Sequence, residues 1–185
     1  MKNKSGAMEM TVGTIVTIVL LMSALVLGLI LTKNVFGSAK GAIDLTDQEL
    51  TSQIGKAFGS EDKELAFYPT SGELTIKLEE REAMGFGIKN LGTAGTNVFS
   101  YKVSVVDDTK CGASYDASKW IYSGASENNM AIPTGKITTA KVFFEIPSGA
   151  PICLVTYKVE VYKGSTPGSA ANIYKSEKFY ITSKA

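Results

Sequence analysis

An uncharged apolar run at residues 11–32, TVGTIVTIVLLMSALVLGLILT, constrains this chain more than any other feature. As an α-helix its roughly 22 residues extend about 33 Å, enough to cross the hydrocarbon core of a bilayer. A secretory h-region is shorter and ends in small residues at a cleavage site, whereas this run ends in Lys33 and Asn34. The run therefore reads as a retained helix that carries the following chain out of the cytoplasm. A buried core helix of a soluble protein is the competing reading, and the length of the run disfavours it.

The flanks set a direction. Lys2, Lys4 and the amino terminus form a positive cluster ahead of the run, while Lys33 and Lys40 behind it are soon joined by Asp44, Asp47 and Glu49. Counting Lys and Arg alone, this asymmetry favours a cytoplasmic amino terminus and an exported carboxy-terminal domain. About 125 residues follow the helix and its connector, a common size for one domain with a core of its own. Cys111 and Cys153 both lie in that part. In an exported domain an even pair reads as a disulfide, closing a loop of roughly 43 residues worth up to about 4 kcal/mol. Two buried free thiols would instead suit a cytosolic domain.

Composition argues against chemistry. Nineteen basic and 18 acidic residues leave a net charge of +1, which offers no pull towards nucleic acid. The chain has no His, the commonest general base and metal ligand, so a hydrolytic triad or zinc site is not expected. No Gly-rich phosphate loop follows a strand and no nucleophile elbow occurs. Asp107, Asp108 and Asp116 lack the ligand spacing of a calcium loop. No catalytic, cofactor-binding or metal-binding residue is assigned, and an enzyme is not expected.

Within the apolar run Gly13, Thr17, Ala24 and Gly28 recur at steps of four, seven and four, which places them on one face. Small residues on one stripe let helices approach closely inside lipid, although Gly and Thr are common in any membrane helix. The string KSGAMEMTVGTIVTIVLLMSALVLGLIL resembles the amino terminus of archaeal type IV pilin-like proteins and archaellins. In that family a prepilin-type peptidase removes a short basic leader, and the surviving helix becomes the packed core of a filament. The resemblance implies Lys4, Ser5 and Gly6 as the recognition end, with Ala7 as the new amino terminus. Ser5 stands between the basic residue and Gly6, a departure that leaves a cut after Ser5, or none, open. Glu9 would pair with a neighbour's new amino group during assembly. Read from the residues alone, Glu9 instead sits at the headgroups and favours the helix amino terminus. The implied partners are copies of the chain itself, the peptidase, the assembly machinery and the membrane. A single-pass anchored surface protein that binds a partner without polymerising is the alternative.

Downstream, Thr46 and Glu49 form a capping box with Leu45 and Leu50 as its staple. Leu50, Ile54, Ala57 and Phe58 then line one side of a short amphipathic helix ending near Gly59. Beyond Asp62 the period changes to two. Leu74/Ile76/Leu78, Met84/Phe86/Ile88, Phe99/Tyr101/Val103/Val105, Ala140/Val142/Phe144/Ile146, Cys153/Val155/Tyr157/Val159/Val161 and Phe179/Ile181 each alternate with other residues. About seven short antiparallel strands with one face buried predict an immunoglobulin-like β-sandwich. The charged residues 79–82 are expected at a solvated hairpin tip, and residues 89–92, KNLG, at a strand-ending turn. Trp120 and Tyr122 would share a face of a short edge strand, either as a binding platform or as loop packing. The expected organisation is a leader at 1–6, a hydrophobic helix at 7–36, a connector at 37–60 and an exported sandwich at 61–185, an α+β chain.

Overall fold

Two units make up the chain, Met1–Ser38 and Ala39–Ala185. The computed structural model describes residues 5–37, 46–59, 63–92, 96–168 and 170–185, with side-chain detail in the first helix over residues 13–30. The first unit is helix α1 (Ser5–Gly37). It is apolar on every side, as a helix surrounded by lipid or by like helices requires.

The second unit opens with α2 (Asp47–Ala57). Thr46 caps it: its hydroxyl accepts the Glu49 N–H at 3.3 Å, and the Glu49 carboxylate accepts the Thr46 N–H at 3.0 Å. These bonds, the one from the Thr46 backbone first, hold the Glu49 carboxyl below its ordinary range. Among the described residues nine strands follow: β1 (Leu65–Tyr68), β2 (Glu73–Lys77), β3 (Arg81–Lys89), β4 (Thr96–Asp107), β5 (Ile121–Ser123), β6 (Ser126–Pro133), β7 (Ile137–Glu145), β8 (Leu154–Lys163) and β9 (Ile173–Lys184). They form two sheets, in the orders β1-β3-β7-β5 and β2-β9-β8-β4-β6. The fold is an immunoglobulin-like β-sandwich behind one apolar helix.

The period-two residues build the core between the sheets. Phe86 and Phe144 of the first sheet meet Tyr101, Tyr157 and Phe179 of the second, with ring centroids 4.9 Å apart for Phe86–Tyr101 and 5.0 Å for Phe144–Tyr157. These rings, with Val142, Val155, Val159 and Ile181, are fully buried.

A second, smaller core lies on the outer face of the first sheet. There Leu50 and Ile54 of α2 and Phe58, which caps its carboxy end, pack on Ala66 and Ala83, with Tyr68, Ile137 and Phe143 at the margin. Burial of each large side chain contributes about 1.5–3 kcal/mol. The helix fits because β3 carries glycine where it passes: a Cβ at Gly87 would overlap Ile54 and stand 2.9 Å from Phe58. Residues 83–88 of β3 are consequently buried on both faces.

Three expectations need correction. The strands are not all antiparallel, because β2 pairs in parallel with β9, Glu73 opposite Tyr180. The charged residues 79–82 do not form a hairpin tip. The turn carries the chain from β2 in one sheet to β3 in the other, with Glu79 at φ 65° and its N–H on the Ile146 carbonyl. Trp120 and Tyr122 do not share a face, since Trp120 is fully buried and Tyr122 is 57% exposed.

Candidate functional site

On α1 the Gly13, Thr17, Ala24 and Gly28 stripe spans about 60° of arc and roughly 22 Å of length. A Cβ placed on Gly13 or Gly28 meets no other group within 4 Å. Glycine in a helix costs about 0.5–1 kcal/mol relative to alanine, and within the described chain no close contact requires it at either position. The Thr17 hydroxyl donates to the Gly13 carbonyl at 2.8 Å, and Ser23 donates to Val19 at 2.8 Å, so both hydroxyls are satisfied within their own helix. Around them Ile15, Leu21, Met22 and Leu27 are each more than 60% exposed. The segment Gly13–Ile30 is long and apolar enough to cross a membrane, and none of it is buried. Lys4 lies outside the described residues. Ser5, Gly6, Ala7 and Glu9 fall on the α1 backbone before its described side chains begin.

At one end of the sandwich, Cys111 and Cys153 are bonded, with Cα atoms 5.1 Å apart. Cys111 closes a 3-10 turn (Thr109–Cys111) after β4, and Cys153 directly precedes β8, the neighbour of β4. The bridge therefore pins a loop to one sheet rather than linking the two. A second 3-10 turn (Ala117–Trp120) buries Trp120, whose Nε1–H donates to the Tyr115 hydroxyl at 2.8 Å, while Tyr157 donates to the Ala117 carbonyl at 2.7 Å.

The three aspartates here serve the backbone. Asp107 accepts from the hydroxyl and N–H of Thr109, Asp108 from Ala117 N–H and Asp116 from Ser118 N–H. The Thr109 hydroxyl and N–H hold the Asp107 carboxyl below its ordinary range, and Ser118 does the same for Asp116. Among the described residues no group of three His, Cys, Asp or Glu side chains could hold a metal ion.

Two clusters are completed by partners far apart in the chain. Arg81 bonds Glu145 through Nε and Nη2, both at 2.8 Å, and lies 4.2 Å over the exposed Tyr122 ring. Asn90, 1% exposed, donates to the Ile132 carbonyl at 2.7 Å and accepts from Gly92 N–H at 2.9 Å and Asn97 Nδ2 at 3.3 Å. Its own backbone pairs with Lys136 and Gly135, so the KNLG turn is knotted to the β6–β7 connection.

The geometry is that of a single apolar helix carrying an immunoglobulin-like domain. No protein-family model matches the chain, and no curated protein matches it. Among solved structures it is similar to an ASH / PapD-like domain of human CEP192, at 15% identity and TM-score 0.38 over 68% of this chain and 87% of that one. A CARDB domain from Pyrococcus furiosus gives 11% identity and TM-score 0.38 over 65% and 94%. A ScaB type I cohesin from Pseudobacteroides cellulosolvens gives 13% identity and TM-score 0.35 over 65% and 91%.

Proposed function

We propose that the chain is the structural subunit of an archaeal type IV pilus-like surface filament. Its amino terminus lies in the cytoplasm before assembly, and the sandwich lies outside. The leader is removed at Gly6–Ala7 by a prepilin-type peptidase. The released helices then bundle through Gly13, Thr17, Ala24 and Gly28, with Glu9 pairing with a neighbour's amino group. The reading is structural rather than catalytic. One observation carries it: Gly13 and Gly28 weaken the helix without relieving any contact within the described chain, so their small size serves a neighbour.

Mass spectrometry of the protein from its native host tests the processing step. Loss of residues 1–6, or of 1–5, is expected, and an intact leader in surface material would count against a pilin. Changing Gly13 and Gly28 to Leu should abolish filaments while leaving the chain in the membrane. Filaments that persist would remove the packing face. A processed or unprocessed chain that stays monomeric in the membrane would identify an anchored surface protein instead.

A further inference from the structure

Chain order places α2 between α1 and every strand, so any pull that enters through α1 reaches the sheets by way of α2. Its attachment differs in kind from that of the strands. Among the described residues no backbone hydrogen bond joins α2 to a strand. It is held by Leu50, Ile54 and Phe58, by the Lys141–Asp47 ion pair at 3.3 Å and by the Thr51–Thr139 hydroxyl contact at 3.2 Å. The Asp47 side chain is 95% exposed, so the ion pair adds little.

The apolar anchors belong to a cluster separate from the main core. Beneath them lie the small residues Ala66, Ala83 and Gly87, so the apolar surface uncovered by lifting is chiefly that of the three anchors, and the main core between the sheets is not opened. The sandwich is tied by ladders such as β8–β9, unbroken from Leu154–Thr182 to Val161–Lys175, and by the disulfide. Segments with few buried contacts and no ladder open locally well below the global unfolding free energy.

We infer that α2 is a releasable strap, which lifts from the first sheet while the sandwich stays folded. Residues 46–59 then pay out as slack, up to about 45 Å of extended chain. The source of the load rests on the membrane-held reading proposed above, whereas the lifting itself belongs to the sandwich unit alone.

Hydrogen exchange on the full chain in detergent micelles separates the alternatives. In the wild type the α2 amides should exchange at least a hundredfold faster than those of β8 and β9. Gly87→Ala places a methyl group against Ile54 and Phe58 at a strand position with no positive φ. It should speed α2 exchange a further tenfold or more and leave β8 and β9 unchanged. Oxidised Thr51→Cys/Thr139→Cys should slow α2 to within a few-fold of the sandwich.

Exchange of α2 together with β8 and β9 in the wild type would overturn the strap, as would a cross-link that leaves α2 unaffected. A cross-link that forms between chains would overturn docking within one chain. With the chain held in a bilayer and pulled by its carboxy terminus, an early lengthening of at most about 45 Å is expected, lost on cross-linking. If the chain washes out of the bilayer, the membrane reading fails and the exchange result stands.

Discussion

Replacing Cys111 and Cys153 together by Ala isolates the contribution of the bridge, because the loop it closes has other attachments. The two residues are 42 apart in sequence. On the chain-entropy relation, a loop of that length restricts the unfolded chain by about 4 kcal/mol at 25 °C. The native state should keep its shape, since Trp120, the Tyr157–Ala117 bond and the Asp108–Ala117 bond hold the same segment. The loss should therefore appear as stability and not as structure. In urea melts of the full chain in detergent, with a slope of about 2 kcal/mol/M, the midpoint should fall by roughly 2 M. Reductant should lower the wild type to the same midpoint and leave the variant unmoved. A drop under about 1 kcal/mol would refute the reasoning: the unfolded chain would then already hold residues 111 and 153 close together.

Further outcomes follow from buried polar groups. Burial pushes the Tyr101 phenol up to about 12, aided by Glu127, and pushes Tyr157 higher still, aided by Asp108. Unfolded phenols ionise near pH 10, so stability is full below that pH. It should fall between pH 10 and 12 by up to about 2.7 kcal/mol per pH unit for the pair. Tyr101→Phe should make that fall shallower, and a flat profile in urea melts across this window would contradict it. Asn90→Leu strands the Ile132 carbonyl and the Gly92 N–H and removes the acceptor of the Asn97 side-chain amide. It should cost about 2–4 kcal/mol by the same melts, far more than a surface Asn. A loss below 1 kcal/mol would mean water replaces the side chain.

The alternating runs that became β2, β4, β7, β8 and β9 were readable because period two records the burial of one face, and β3 because Met84, Phe86 and Ile88 alternate with smaller or polar residues although both its faces are covered. The capping box at Thr46 and Glu49 was equally visible, since its chemistry lies within four residues. β6 escaped because SENNMAIP is an edge strand with only Met130 and Ile132 buried, so little alternation remains. β1, Leu65–Tyr68, escaped for the opposite reason: α2 and the core cover both its faces, leaving an unbroken apolar run. Nothing in the alternation of this run shows that Gly87, between Phe86 and Ile88, is the seat of α2. The hairpin expected at residues 79–82 failed because successive strands were assumed to pair. Whether a turn stays in its sheet or crosses to the other is decided by the partners β9 and β7, far along the chain. At the candidate site, the apolar span could be read from composition. The Arg81–Glu145–Tyr122 cluster and the Asn90 knot exist only once distant strands are aligned.

The parallel pairing of β2 with β9 also sets a clock. Glu73 meets Tyr180 about 107 residues later, so Leu74 and Ile76 have no ladder partner in β9 until that strand has been made. Closure of so long a loop is entropically slow, and non-local pairing of this kind lowers folding rates. For a chain threaded through a membrane from its amino-terminal end, the second sheet stays open until β9 emerges. Under the export proposed above, the domain would travel unfinished and complete itself on the far side.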